Sequence, residues 1–306
     1  MAIAGLGRKQ LGVSAIALAV VTCVAPGPAQ AGWEDDFGTL RIGMVSNSGG
    51  RGVAGLGQLT TAYERATGVS VQIMVARDYP ALIRAQAQGR IHYAVYSAAA
   101  YGVAAALCGC VEPLAAPRGL GGATGVQAVA IGRRGGSDGL ADIEGARVVS
   151  GPGEEVGPQS LAMAVIAADG TSARPASITH AASQSEAERA FIEGEADILL
   201  GWRPTGDEKD ADPSVGTLAR LEAGGMALDG LEVLWASDTI AYGPHAVRTD
   251  LPDELKRRLG RFLLHVHEQQ PDIYQLLEPY RGGGFAPIAA DAYGGARAIV
   301  DRYASR

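Results

Sequence analysis

Thiols, thioethers and aromatic rings are scarce in this chain: 3 Cys, 5 Met and 6% Phe, Trp and Tyr among 306 residues. So few cysteines exclude a fold built on disulfides or on cysteine-rich zinc sites. Histidine is equally thin, with 5 in all and no H-E-x-x-H, and His265 and His267 stand two apart, on different faces of a helix. Enzyme chemistry therefore has no positive support and no metal site is expected. Charged residues make up 19%, and the formal net charge is −7, which argues against nucleic-acid or anionic-membrane binding. No stretch beyond residue 24 is long and apolar enough to span a bilayer, and no repeat of fixed period occurs. What is abundant is apolar aliphatic sequence, 47% hydrophobic overall, and glycine, with 43 residues. That composition and length fit about two globular α/β domains.

The N-terminus carries a compartment signal. Arg8 and Lys9 precede an apolar run from Leu11 to Val24, then Pro26, Gly27 and Pro28 break it, and Ala29-Gln30-Ala31 has the small-x-small form of a signal peptidase site. Cleavage after Ala31 would leave 275 residues with a net charge of −9, exported to the periplasm and not inserted in the membrane. Thr22 before Cys23 is larger than a lipidation site prefers. With Cys23 removed, Cys108 and Cys110 remain as a C-x-C pair, open to a short-loop disulfide, two buried thiols, or an incomplete metal or redox site.

Hydrophobic periodicity then predicts strands at Thr39–Val45, Val69–Val75 and His92–Tyr96, alternating with helices at Leu56–Ala66, Tyr79–Gln88 and Ser97–Leu107. Glycines from Gly119 to Gly125 mark a break, after which Val126–Ile131 opens a second series: strands at Arg147–Ser150, Ser177–His180, Asp197–Leu200 and Leu231–Trp235, and helices at 157–168 and Glu186–Glu193. Residues 206–216 read as an exposed loop, Ala241–Val247 as an extended return, and Asp253–Glu268 as a strongly amphipathic helix. Alternation of this kind means parallel sheets with crossover helices.

Gly50-Arg51-Gly52-Val53-Ala54-Gly55 matches G-x-G-x-x-G after a strand, with Asp78 further on, the pattern of a dinucleotide site. In so glycine-rich an exported chain the pattern reads better as a ligand loop or turn, and no cofactor is expected. Ligands of open α/β sheets sit at strand ends. Here those ends carry Ser46, Asn47 and Ser48, Arg51, Tyr79, Tyr96 and Ser97, Glu154 and Glu155, and Trp202 and Arg203, a set suited to a small polar ligand.

The order of several short segments resembles the phosphate, phosphite and phosphonate family of periplasmic substrate-binding proteins of ABC importers. They are Leu40–Gly43, Ala76–Ile83, Gly89–Tyr96, Gly139–Gly145, Gly194–Asp197, Leu234–Ser237 and Arg248–Leu255. The resemblance implies a two-lobed α/β fold of the type II periplasmic-binding kind with two crossover strands. Its lobes would be residues 33–125 with 240–306, and residues 126–239. It implies too that Tyr79 and Tyr96 line the cleft near Ser46–Arg51, and that an ABC permease or another exported protein is the partner. Where that family usually has a Ser-Thr-Ser run, this chain has Glu154-Glu155-Val156; its usual histidine falls near Gln184 and its acidic partner near Gly243. The expected function is delivery of a small polar ligand, phosphonate-like or changed, to an importer. The alternatives are an accessory or sensor role in another exported system and, third, an exported oxidoreductase.

Overall fold

A computed structural model describes residues 33–45, 55–135, 143–151, 175–206, 215–279 and 281–295. The expected loop at 46–52, the expected helix at 157–168 and most of the expected loop at 206–216 lie outside the described residues.

The chain forms two sheets. The first draws β1 (Thr39–Val45), β2 (Ser70–Ala76), β3 (Tyr93–Val95), β4 (Val111–Gly119), β11 (His245–Arg248) and β12 (Gly282–Ala286) into the order β12-β4-β11-β3-β1-β2. Strands β1, β2 and β3 are parallel, as the strand–helix alternation predicts, while β11 and β12 run antiparallel to β4. The second sheet joins β5 (Gly125–Arg133), β6 (Arg147–Ser150), β7 (Ser177–His180), β8 (Ile198–Thr205) and β10 (Ile240–Ala241) in the order β10-β5-β8-β6-β7, with β9 (Leu231–Ala236) also on β5. Ile240 and Ala241 thus pair into the second sheet, and the return to the first begins just after them.

Helices cover both faces of the first sheet. Helix α1 (Trp33–Phe37) leads into β1. On one face lie α2 (Leu56–Thr67), α7 (Asp253–Gln269) and α8 (Pro271–Leu277), and on the other α3 (Tyr79–Ala87) and α4 (Ala98–Cys108). Helix α7 buries Leu255, Leu259, Phe262, Leu263 and Val266 in one stripe against the sheet. At roughly 1.5–3 kcal/mol per fully buried apolar side chain, that stripe contributes on the order of 10 kcal/mol before entropy is charged. The second sheet carries α5 (Gln184–Ile192) and α6 (Thr217–Ala223) over Phe191, Leu199 and Leu221, with Val148, Ile198 and Leu200 in a second cluster.

Strand β4 is absent from the sequence reading because Pro113 and Pro117 interrupt it. The sheet accommodates both at irregular points: the ladder shifts register at His245/Ala246, beside the Ala246–Pro113 pair, and again before Phe285, which faces Pro117. Proline cannot donate to a regular ladder, so bulges are where a strand tolerates it.

Inside the first sheet's core runs a hydrogen-bonded chain: Tyr63 and Tyr93 hydroxyls 2.9 Å apart, and Tyr93 in turn on His245 Nδ1. Tyr63 and Tyr93 are fully buried and His245 is 1% exposed. Burial pushes the His245 imidazole down to about 3, so the folded protein holds it neutral while the unfolded chain protonates it near its ordinary value. A depressed folded value means stability is complete above about pH 6.5 and is lost as pH falls toward 3, by up to about 1.4 kcal/mol per pH unit. Denaturant titrations from pH 7 to pH 4 should show that decline. His245→Gln, which keeps an acceptor for Tyr93 but has no titrating ring, should make the decline shallower, leaving the part that His92, lowered by burial to about 4, contributes.

Candidate functional site

Topology brings the functional strand ends together. In the first sheet the parallel strands finish at the edge where β11 begins, Val95 facing His245 across the ladder. In the second, β6 and β8 run parallel and finish where β5 begins, Thr205 facing Gly125. Among the described residues the chain crosses between sheets at two neighbouring places, from Gly119 to Gly125 and from Ala241 to His245. Both carboxyl edges therefore front the same pair of connections, and the space between them is the candidate ligand site.

On the first side, two helices start at this edge. Asp78 caps α3 by accepting the Ala81 N–H at 2.7 Å, and Ser97 caps α4 by accepting that of Ala100 at 3.2 Å. Tyr79, at the first turn of α3, is half-buried with its hydroxyl against Ser97. Burial raises the Tyr79 phenol, while the Ser97 hydroxyl and amide and the Arg281 charge act against the rise. Arg281 arrives from the C-terminal segment: its guanidinium lies 4.2 Å above the Tyr242 ring and its Nη1 donates to Glu278 at 2.9 Å. Tyr242 is itself fixed through its carbonyl, which accepts from the Tyr293 hydroxyl at 2.7 Å.

On the second side, the ends of β6 and β7 pair Ser150 Oγ with His180 Nδ1 at 2.8 Å, Ser150 buried and His180 exposed. At the start of α5, Gln184 Nε2 donates to Glu188 at 3.2 Å, and the nearly buried Glu188 carboxylate accepts from Arg220 at 2.7 Å. Arg220 in turn lies 5.5 Å from the Trp202 ring centre, and the Trp202 N–H donates to Thr217 at 3.0 Å. Arg203 donates through Nε to Gln127 at 2.9 Å. This chain of contacts fixes Trp202 in the last half of β8.

Among the sequence-selected residues, Ser46, Asn47, Ser48, Arg51, Glu154 and Glu155 lie outside the described residues. Tyr79 and Ser97 come together, and Trp202 and Arg203 sit on the opposite side. Tyr96 differs from the expectation that its ring lines the cleft: it is 3% exposed among core residues and its hydroxyl donates to Gln86 at 2.8 Å. The strand's inward alternation at β3 takes it there. Asp78, the acid of the dinucleotide-like pattern, is spent on capping and on Arg77 at 2.9 Å. At Gly243 no acidic side chain fits, since a Cβ would overlap the Tyr96 carbonyl and lie 2.7 Å from Ser97 Cα. One Gly-x-Ser-x-Gly run, Gly135 to Gly139, follows β5 and passes outside the described residues from 136 on. Sequence reasoning missed His180, Tyr242 and Arg281. His180 ends a strand that periodicity does locate, so the strand-end rule reaches it; Tyr242 and Arg281 join the site only through tertiary packing.

The family described as "ABC transporter, phosphonate, periplasmic substrate-binding protein" matches residues 42–293. Comparison with curated protein sequences gives no significant match. Among solved structures, the Xanthomonas citri protein XAC2383 bound to ATP is similar at 14% identity and a TM-score of 0.57, over 86% of this chain and 98% of that one. PhnD1 from Prochlorococcus marinus in complex with methylphosphonate is similar at 12% identity and 0.51, over 88% and 99%. Transferrin 1 from Manduca sexta is similar at 13% and 0.54, over 88% of this chain and 46% of that one. At these identities the likeness is one of fold, that of type II periplasmic binding proteins.

The burial of Tyr96 generates a test. Tyr96→Phe should lower unfolding stability by about 1–2 kcal/mol, the cost of leaving Gln86 without its donor. It should leave the affinity for any ligand found by thermal-shift screening unchanged, as measured by titration calorimetry.

Proposed function

Because the chain belongs to the phosphonate-type family of periplasmic substrate-binding proteins of ABC transporters, a family of binding proteins and not of enzymes, we propose that it captures a small polar ligand between its two sheets for an importer. The observation that carries this reading is the convergence of both carboxyl strand edges on the two crossings. On this reading Tyr79 and Ser97 face Trp202 across the site, with His180 and Ser150 on the same side as the tryptophan; the strand ends and the Tyr79–Ser97 and Ser150–His180 contacts support it. The lobes on this reading are residues 33–125 with 240–306, and residues 126–239, with Gly125 and Ile240–Ala241 at the boundary pairing into the second sheet. No helix among the described residues is long and apolar enough to cross a membrane. With the Arg8–Ala31 segment read as an export signal, the protein works in the periplasm and meets the permease there.

The ligand differs from a bare phosphonate. Glu154 and Glu155 stand where the family usually offers hydroxyls, and two unit charges about 4 Å apart interact by roughly 4 kcal/mol at an effective dielectric near 20. Arg281 brings little net positive charge to offset them, because Glu278 neutralises it. A ligand bearing an amine, or a neutral polar one, suits such a site better.

Titration calorimetry with methylphosphonate, phosphite and phosphate tests this. The expected outcome is weak or undetectable binding of all three, recovered in the Glu154→Ser/Glu155→Thr double variant. Submicromolar binding by the unaltered protein would mean the carboxylates point away and the family ligand is retained. Tyr79→Phe and Trp202→Ala should each weaken the ligand that does bind, by about tenfold or more, without lowering stability to the same extent.

A further inference from the structure

Cys108 and Cys110 are joined in a disulfide, closing a ring around Gly109. A bridge between residues two apart constrains the unfolded chain very little, since the entropy removed grows with the length of loop closed. Its surroundings fit chemistry better than reinforcement. Cys108 is the last residue of α4, and Gly109 caps that helix in the left-handed region at φ 57°. The ring is at the surface: both cysteines are half-buried, Gly109 is exposed and Leu107 beside them is 60% exposed.

The two sulfurs have different neighbours. Arg248 Nη1 lies 3.5 Å from Cys110 Sγ. That guanidinium is held in place, donating to the Gln86 carbonyl at 2.8 Å through the same nitrogen and to Asp250 at 3.0 and 2.7 Å through the others. Cys108 Sγ accepts the Cys110 N–H at 3.3 Å and lies 3.6 Å from the Ala104 carbonyl, an acceptor for a thiol proton, so it has a neutral amide donor where Cys110 has a guanidinium. Arg248 shares its charge with Asp250, so what distinguishes the sulfurs is the guanidinium N–H beside Cys110: a charge-assisted donor there makes Cys110 the better leaving group, and Cys108 becomes the point of attack.

We propose that the Cys108–Cys110 bridge is a thiol–disulfide exchange site for an external dithiol, attacked at Cys108 with Cys110 as the leaving sulfur. In the first step a thiolate of the dithiol forms an S–S bond to Cys108 Sγ, and the Cys108–Cys110 bond breaks, its electron pair leaving on Cys110 beside Arg248. In the second step the other thiolate attacks its own partner sulfur in the mixed disulfide and releases Cys108, which takes up a proton and donates toward Ala104. Two electrons pass to the bridge, the dithiol becomes a disulfide, and the two protons it gives up balance those the two cysteines take up. The exposed Leu107 supplies an apolar contact for the incoming chain.

The experiment equilibrates the oxidised, folded mature protein with graded ratios of reduced and oxidised glutathione, traps thiols with N-ethylmaleimide in acid, and reads masses and peptide maps, with circular dichroism reporting the fold. The expected result is reversible reduction of the native protein, with the mixed disulfide mapped to Cys108. Arg248→Gln should move the half-reduction point toward more reducing buffer by about threefold or more, and Arg248→Lys should restore most of it. A bridge that stays oxidised until the protein unfolds would overturn the proposal, as would glutathione mapped to Cys110. The same holds for a half-reduction point that is equal in a folded Arg248→Gln variant. The mapping uses the unaltered protein and so decides the order of attack even where the variant does not fold.

Discussion

Everything in the site depends on backbone touching backbone where the chain returns from the second sheet to the first. Gly243 packs directly on the Tyr96 carbonyl and Ser97 Cα, and the Tyr96 N–H donates to the Pro244 carbonyl at 3.0 Å. A few residues before, the Tyr242 N–H donates to Thr124 on the outgoing crossing at 3.1 Å, and Thr124 donates to Thr205 at 2.8 Å. One continuous set of main-chain contacts thus links the end of β3, both crossings and the end of β8. It ties together the strand ends that carry Ser97 and Trp202, on different sheets and about a hundred residues apart in sequence. A side chain at Gly243 would push the return strand away from Ser97 and with it Tyr242 and Arg281.

Two arginines around that space are balanced locally. Arg281 rests on Glu278, which is only 8% exposed, and Arg220 rests on Glu188, which is 7% exposed. Partly buried pairs of this kind cost desolvation and are retained where they hold something in place. Here each arginine also lies over an aromatic ring, Tyr242 on one side and Trp202 on the other. The rings are thereby fixed in orientation without adding net charge.

Much of this was readable before any coordinates. β1, β6 and β7 have the bounds that hydrophobic patterning predicts, and the stripe of α7 is a plain helical repeat. Local signals failed where tertiary context dominates. β4 hides behind two prolines that bulges absorb, and β12, with three glycines in five residues, has no pattern to read. Among site residues, Tyr79 and Ser97 follow from the strand-end rule together with cap chemistry. Tyr96 obeys the same rule yet goes to the core, because alternation along a three-residue strand is too short to tell its faces apart. Arg281 enters from the far end of the chain and Tyr242 from a crossing, so neither is legible from spacing. The C-x-C pair left several chemistries open, and only the position of Arg248 distinguishes its two sulfurs.

The central claim is that one ligand is held by both sheets at once, and hydrogen–deuterium exchange measures this most directly. The protein would be compared with and without the best-stabilising compound from a thermal-shift screen. Exchange should slow simultaneously at 77–82 and 97–101 in the first sheet's helix starts and at 180–187 and 201–206 in the second sheet. Protection confined to one sheet, with the other unchanged, would contradict it.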